Sequence, residues 1–170
     1  MPSLEEIFAT WTRTDQPELS ERHMARVKAM YPDAIIGPTH HDLHVWLDWC
    51  AELDGDIPDL VADQIDPRPT LAIGGDRGVV IRFAGAEVQA LLPTVVWLHP
   101  HVPTSALIRH RTAVASELDD EGLRSFIAAC MRDREAQFRP CRICRELVPP
   151  EHRHGDVCHG CAERHLGVCH

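Results

Sequence analysis

The sequence predicts an α+β chain, with a predominantly α-helical body over residues 1–138, one small β-hairpin within it, and a C-terminal module over residues 139–170. Three observations lead there. Apolar residues recur at helical spacing in several separate stretches of the body. The period changes to that of paired strands around Gly74-Gly75-Asp76-Arg77-Gly78. Two Cys-x-x-Cys pairs fall after residue 140.

Taken in order, Leu4, Ile7, Phe8 and Trp11 fall on one helical face, as do Met24, Val27 and Tyr31. Pro17 and Pro32 punctuate those segments. Thr39 is placed to cap a third helix, on which Leu43, Trp46, Leu47, Cys50 and Leu53 form one apolar stripe ended by Asp54-Gly55. Residues 54–69 are acidic and proline-rich, an irregular crossing with a short turn of helix at Asp59–Ile65. Thr70–Ile73 and Val79–Phe83 then flank the glycine-rich segment as a hairpin. Glu87–Leu92 is expected to form one or two helical turns, and Val95–Leu98 a further strand. Helices over Thr104–Leu118 and Asp120–Phe138 complete the body. The second carries Leu123, Phe126, Ile127 and Cys130 on one face, with acids in its first turn, where the helix dipole favours them.

The chain has 170 residues, which suits one domain of about 140 residues with a small appendage. Apolar residues make up 44%, enough for a packed core. Charge is unevenly divided. Residues 1–138 hold 12 Lys+Arg against 22 Asp+Glu, whereas residues 139–170 hold 5 arginines against 4 acids. An acidic body argues against broad non-specific attachment to nucleic acid, because phosphate contacts need clustered positive charge. Lys28 is the one lysine against sixteen arginines, and asparagine is absent, which points to a GC-rich bacterial or phage genome. Met1-Pro2-Ser3 opens no basic, apolar signal segment, and the apolar run Ala90–Leu98 is far too short to span a bilayer. A cytoplasmic protein with no membrane partner is therefore expected, with its thiols reduced.

In that setting the spacing Cys141-x-x-Cys144, thirteen residues, Cys158-x-x-Cys161 reads as a metal site. Each pair chelates from one tight turn, and four thiolates complete a tetrahedral shell for one structural Zn2+. The segment is too short to bury a core, so the metal must supply much of its folding energy. Cys158 and Cys161 open a short helix that Gly167 ends. A knuckle, a hairpin, then a knuckle opening a helix resembles the treble-clef zinc fingers over residues 139–170. That resemblance implies a zinc-centred fold and leaves the role open.

Other chemistries fit less well. His165, one helical turn after Cys161, could replace a thiolate, and an iron–sulfur cluster also uses four cysteines, although separate Cys-x-x-Cys pairs are the commoner zinc pattern. Glu151-His152-Arg153-His154 superficially resembles the catalytic histidine segment of His-Asn-His endonucleases. The thirteen residues between the pairs leave little room for that hairpin, and no asparagine exists to complete the set. In the body, His40 and His44 at helical i, i+4 spacing and His99-Pro100-His101 could converge on a second, hydrolytic metal with Asp42 or Glu52 as base. The plainer reading makes them boundary residues. Cys50 and Cys130 read as small core residues, and Trp46, Trp49 and Trp97 as core or boundary.

No catalytic set emerges from the body. The leading expectation is a regulatory or interaction protein whose partner is another protein. Nucleic acid, met by Arg139, Arg142, Arg145, Arg153 and Arg164, is the nearest rival, weakened by the interleaved Glu146, Glu151, Asp156 and Glu163. A metal-dependent hydrolase or nuclease built on His40, His44, His99 and His101, or on His152 and His154, is the third.

Overall fold

The computed structural model describes residues 17–37, 46, 49, 59–66, 68–99 and 102–168. Five strands form one antiparallel sheet in chain order: β1 (Ile35–Gly37), β2 (Thr70–Ile73), β3 (Val79–Ala84), β4 (Glu87–His99) and β5 (Val102–Val114). Around it lie α1 (Pro17–Met30), α2 (Asp59–Ile65) and α3 (Asp120–Glu135), and Trp46 and Trp49 are also helical. The expectation of a predominantly α-helical body is thus wrong. The body is sheet-rich.

Two errors account for the difference. Glu87–Leu92 is not helical but the first half of a 13-residue strand that continues through Val95–Leu98. Val88 to Leu92 are all buried, with Gln89 the one polar residue among them, so the strand lacks the regular alternation of a half-exposed one. Pro93 does not interrupt it. Its partner across the ladder is Leu107, whose own N–H and C=O point away from β4, so the N–H that proline lacks would have pointed away from β5. The second error is Thr104–Leu118, read as a helix and found as most of β5 followed by a 3₁₀ turn at Ala115–Glu117. Val102, Thr104, Ile108, Thr112 and Val114 are β-branched and favour the strand. Alternation is broken by a bulge, because Ala90 pairs with Arg111 but Leu91 with Arg109. The extra residue, His110, joins Arg111 in reaching Asp133 of α3, at 2.8 and 2.6 Å. Hydrogen bonds from His110 and then Arg111 hold the Asp133 carboxyl below its usual range.

Other expectations hold. The hairpin of β2 and β3 turns through Gly74–Gly78. Gly74 has φ +82°, and a Cβ on Gly78 would stand 1.6 Å from the Ile73 carbonyl oxygen, so only glycine fits. Helix α1 starts at Pro17 and ends before Pro32, and the short helix Asp59–Ile65 is present. Asp119 caps α3 by accepting from the Gly122 N–H at 2.7 Å, and the helix ends at Glu135 instead of Phe138.

The main core lies between one sheet face and helices α1 and α3. Val27, Leu123 and Ile127 meet Leu71, Ile73, Ile81, Phe83 and Val88 there. Cys130 joins them, and burial pushes its thiol up to about 11, so it is a packing residue. On the other face Thr70, Arg82 and Gln89 form a polar row across β2, β3 and β4. Arg82 is fully buried and donates to Gln89 Oε1 at 3.0 Å, the Asp63 carbonyl at 2.9 Å and Asp63 Oδ1 at 2.8 Å, with Asp66 Oδ2 at 3.1 Å. Burial lowers the Arg82 pKa, and the Asp66 and Asp63 carboxylates offset that only in part while tying α2 to the sheet.

The outer edge of β5 is sealed. The Gln64 side-chain amide donates to the Leu107 carbonyl and accepts from its N–H, both at 2.7 Å, as a neighbouring strand would. Two residues earlier the Trp46 indole N–H donates to the Ser105 carbonyl at 3.1 Å. Trp46 is buried with Val61, Ile65 and Ala106, as its apolar stripe predicted.

Candidate metal centre

Beyond α3 the chain folds as two small hairpins and a helix. Strands β6 (Arg139–Pro140) and β7 (Leu147–Val148) pair, as do β8 (Arg153–His154) and β9 (Val157–Cys158), and α4 (His159–Leu166) follows. The first hairpin carries Cys141 and Cys144 on a tight turn. Cys141 N–H donates to the Glu146 carbonyl at 2.8 Å and Arg145 N–H to the Cys141 carbonyl at 3.0 Å. Arg145 takes φ 68° to close that turn. The second hairpin turns through Gly155 at φ 62° and delivers Cys158 as the cap residue of α4, with Cys161 in its first turn. Gly167 ends α4 in the left-handed region, as expected.

All four Sγ atoms lie within 4.8 Å of one another, close enough to share one metal ion. Cys144 Sγ is 3.8 Å from Cys158 Sγ, and the Cys158 N–H donates to Cys141 Sγ at 3.3 Å. Cys141 and Cys161 are buried with Val148, Val157 and Ala162, a core of five buried residues around the sulfurs. Burial works against the Cys141 thiolate, but amide donors from Cys158, Cys144 and Ile143 outweigh it and bring the group down to about 6. Its neighbours move the other way. The Cys158 sulfur and then burial push Cys161 up to about 12. Cys144 is raised although the Glu146 amide favours its thiolate, because burial and the Cys141 thiol oppose it. The Cys141 thiolate therefore forms readily, whereas Cys144 and Cys161 resist. A divalent cation at the centre removes that conflict by neutralising the charge the sulfurs would otherwise share.

The module is tied to the body through a contact that no sequence spacing marks. The 3₁₀ turn Pro150–His152 places Glu151 against Arg134 of α3, which donates from both terminal nitrogens to the carboxylate. Arg134 is 1% exposed and Glu151 7%, so this is a buried ion pair. The Phe138 ring lies 5.1 Å from the Arg134 guanidinium and 5.6 Å from that of Arg77.

Among the described residues the four cysteines are the one group of three or more metal-binding side chains brought together. His165 is exposed on α4 and outside it. His152 and His154 do not join a ligand cluster, and the His152 ring stands 6.2 Å edge-on from His159. His40, His44, His101, Asp42, Glu52 and Cys50 lie outside the described residues, and His99 ends β4. Several module arginines are engaged locally: Arg142 with Asp156 at 2.8 Å, Arg139 with the Phe138 carbonyl at 2.8 Å, and Arg164 with the Gly160 carbonyl at 3.0 Å. No helix among the described residues is long and apolar enough to cross a membrane. No family model, curated protein or solved structure matches the chain.

Proposed function

We propose that Cys141, Cys144, Cys158 and Cys161 hold one structural Zn2+ in a treble-clef arrangement, and that this module equips a cytoplasmic regulatory protein to bind a protein partner. The observation that carries the metal is the convergence of four Sγ atoms within 4.8 Å on two knuckles. Four thiolates fill a tetrahedral shell and leave no position for water, which makes the metal structural and not catalytic. Soft sulfur donors favour zinc over magnesium or calcium, and residues 139–170 bury too little to stand without it. A reducing, cytoplasmic setting keeps the thiols available.

The protein-partner reading is supported by the pairing of Arg142 with Asp156, which offsets the charge of one module arginine, and by the acids Glu146, Glu151 and Glu163 interleaved with the others. The test is metal-free protein titrated with Co2+. Four thiolate ligands give strong sulfur-to-cobalt charge transfer and tetrahedral bands, which Zn2+ abolishes stoichiometrically. An octahedral cobalt spectrum, or no displacement by zinc, would sink the assignment.

A further inference from the structure

The four sulfur-bearing residues are not equally covered. Cys141 and Cys161 are buried with Val148, Val157 and Ala162, whereas Cys144 is exposed and Cys158 half-buried. The local fold explains the difference. Cys144 sits at the tip of the first hairpin, where Arg142, Ile143 and Arg145 are exposed as well. Cys158 caps α4, and the residues after it, His159 and Gly160, are half-buried. Cys141 is covered in a second way, because its Sγ accepts from the Cys158 N–H at 3.3 Å.

The cluster therefore has one edge open to solvent, from Cys144 to Cys158, whose sulfurs stand 3.8 Å apart. Distance does not single out this edge, since all four Sγ atoms lie within 4.8 Å of one another. Exposure does. The charge beside it also selects what can react there. Glu146 Oε2 lies 3.9 Å from Cys144 Sγ, and a carboxylate at that corner favours a neutral reagent over an anionic one.

We propose that Cys144 and Cys158 are a site of reversible oxidation by hydrogen peroxide, forming a disulfide that releases the metal from the module. This names a regulation of the proposed zinc site and rests on that reading. The Cys144 thiolate attacks one peroxide oxygen: an S–O bond forms, the O–O bond breaks and hydroxide leaves. The Cys158 thiolate then attacks the Cys144 sulfur: the S–S bond forms, the S–O bond breaks and a second hydroxide leaves. Two thiolates lose two electrons, one peroxide gains them, and both hydroxides take protons from water. Closing the 3.8 Å gap to about 2.05 Å moves the sulfurs by under about 2 Å. Cys141 and Cys161 remain as half of a structural shell, too few to keep the ion. A thiol reductant and Zn2+ restore the site by exchange and rebinding.

The test uses the full zinc-loaded chain, with its zinc content measured first, and needs no variant. With less than one equivalent of iodoacetamide, singly labelled chains should carry label on Cys144 at least about tenfold more often than on Cys141 or Cys161. Peroxide should release one zinc per disulfide, read by a zinc-chelating dye, and peptide mapping should find Cys144 joined to Cys158. Dithiothreitol with Zn2+ should restore the metal. Cys144→His and Cys161→His each keep four ligands, as three cysteines and a histidine also hold structural zinc. Release by peroxide should slow about tenfold in the first variant and little in the second. If neither variant retains zinc, labelling and mapping of the native chain decide alone. Label spread evenly over the four cysteines overturns the inference and leaves the zinc site standing. So does a disulfide that maps to Cys50, Cys130, Cys141, Cys161 or Cys169, or zinc retained after oxidation. A chain that holds no zinc before peroxide is added removes the reading beneath it.

Discussion

The sheet body and the C-terminal module are both built from short antiparallel pairs, yet they are held together by different physics. In the body Phe83, Ile81, Leu123 and Ile127 bury apolar surface between a sheet and two helices, a source of stability that needs nothing from outside the chain. The module has strands of two residues and a core in which Cys141 and Cys161 count among five buried residues. So small a core makes its cohesion depend, on the proposed reading, on a metal held by the sulfurs. Among the described residues one buried ion pair, Arg134 with Glu151, joins the two regions. With the proposed metal in place, the difference teaches that this chain would have two stabilities, one carried by burial and one by a ligand, each separately breakable.

The sharpest break comes from the metal. Chelation, or Cys161→Ser, should unfold residues 139–170 while leaving the sheet intact, since structural zinc contributes on the order of 10 kcal/mol to small modules of this kind. Amide exchange checks it: protection should vanish in Val148 and Val157 but persist in Ile81. Uniform loss of protection would mean that the two regions do not differ as described.

Phe83→Ala should produce the converse pattern. Emptying a fully buried aromatic site costs about 3–5 kcal/mol, so the body should melt earlier in denaturant while zinc stoichiometry is kept. Loss of zinc in that variant would show that the module borrows its fold from the sheet.

Glu151→Ala addresses the junction. Removing one member of a buried pair strands the Arg134 charge, at a cost of about 3 kcal/mol. Limited proteolysis should then release residues 139–170 more readily than from the wild type, with zinc still bound to the fragment. Unchanged cleavage would mean the pair does not secure the module.

The smallest effect concerns the body alone. His23 is buried against Phe83, and burial, then the charges of Arg26 and Arg22, hold its imidazole below the usual value. Its folded value is therefore below its unfolded one, near 6.5. Above that pH both states are neutral and nothing is lost. As pH falls through 6.5 the unfolded chain takes the proton first and stability declines. His23→Phe should flatten that decline, measured as body unfolding at pH 5.5 and 7.5. An identical slope in both proteins would assign the acid sensitivity elsewhere.

How much of this could be read from the residues follows from the same contrast. The convergence of the four cysteines was legible because thiolate coordination fixes both residue type and spacing, and the turns at Cys141–Cys144 and Cys158–Cys161 are local. Gly74–Gly78 and the helix from Asp120 were legible for the same reason, since glycine and Asp119 act within a few residues. The long hairpin was not. Buried residues on both faces erased the alternation of β4, Pro93 looked like a breaker although its position needs no N–H, and the bulge at His110 shifted the period of β5. The Arg134–Glu151 contact and the Gln64 seal join residues 17 and 43 apart, and spacing says nothing of either.

The most direct test of the central claim is the metal content of the chain, purified without added metal or a histidine tag and measured by mass spectrometry alongside its visible absorption. One zinc per chain in colourless protein, lost in Cys161→Ser, is the predicted result. Iron with visible absorption, a second metal that survives that substitution, or a folded module with no metal would contradict it.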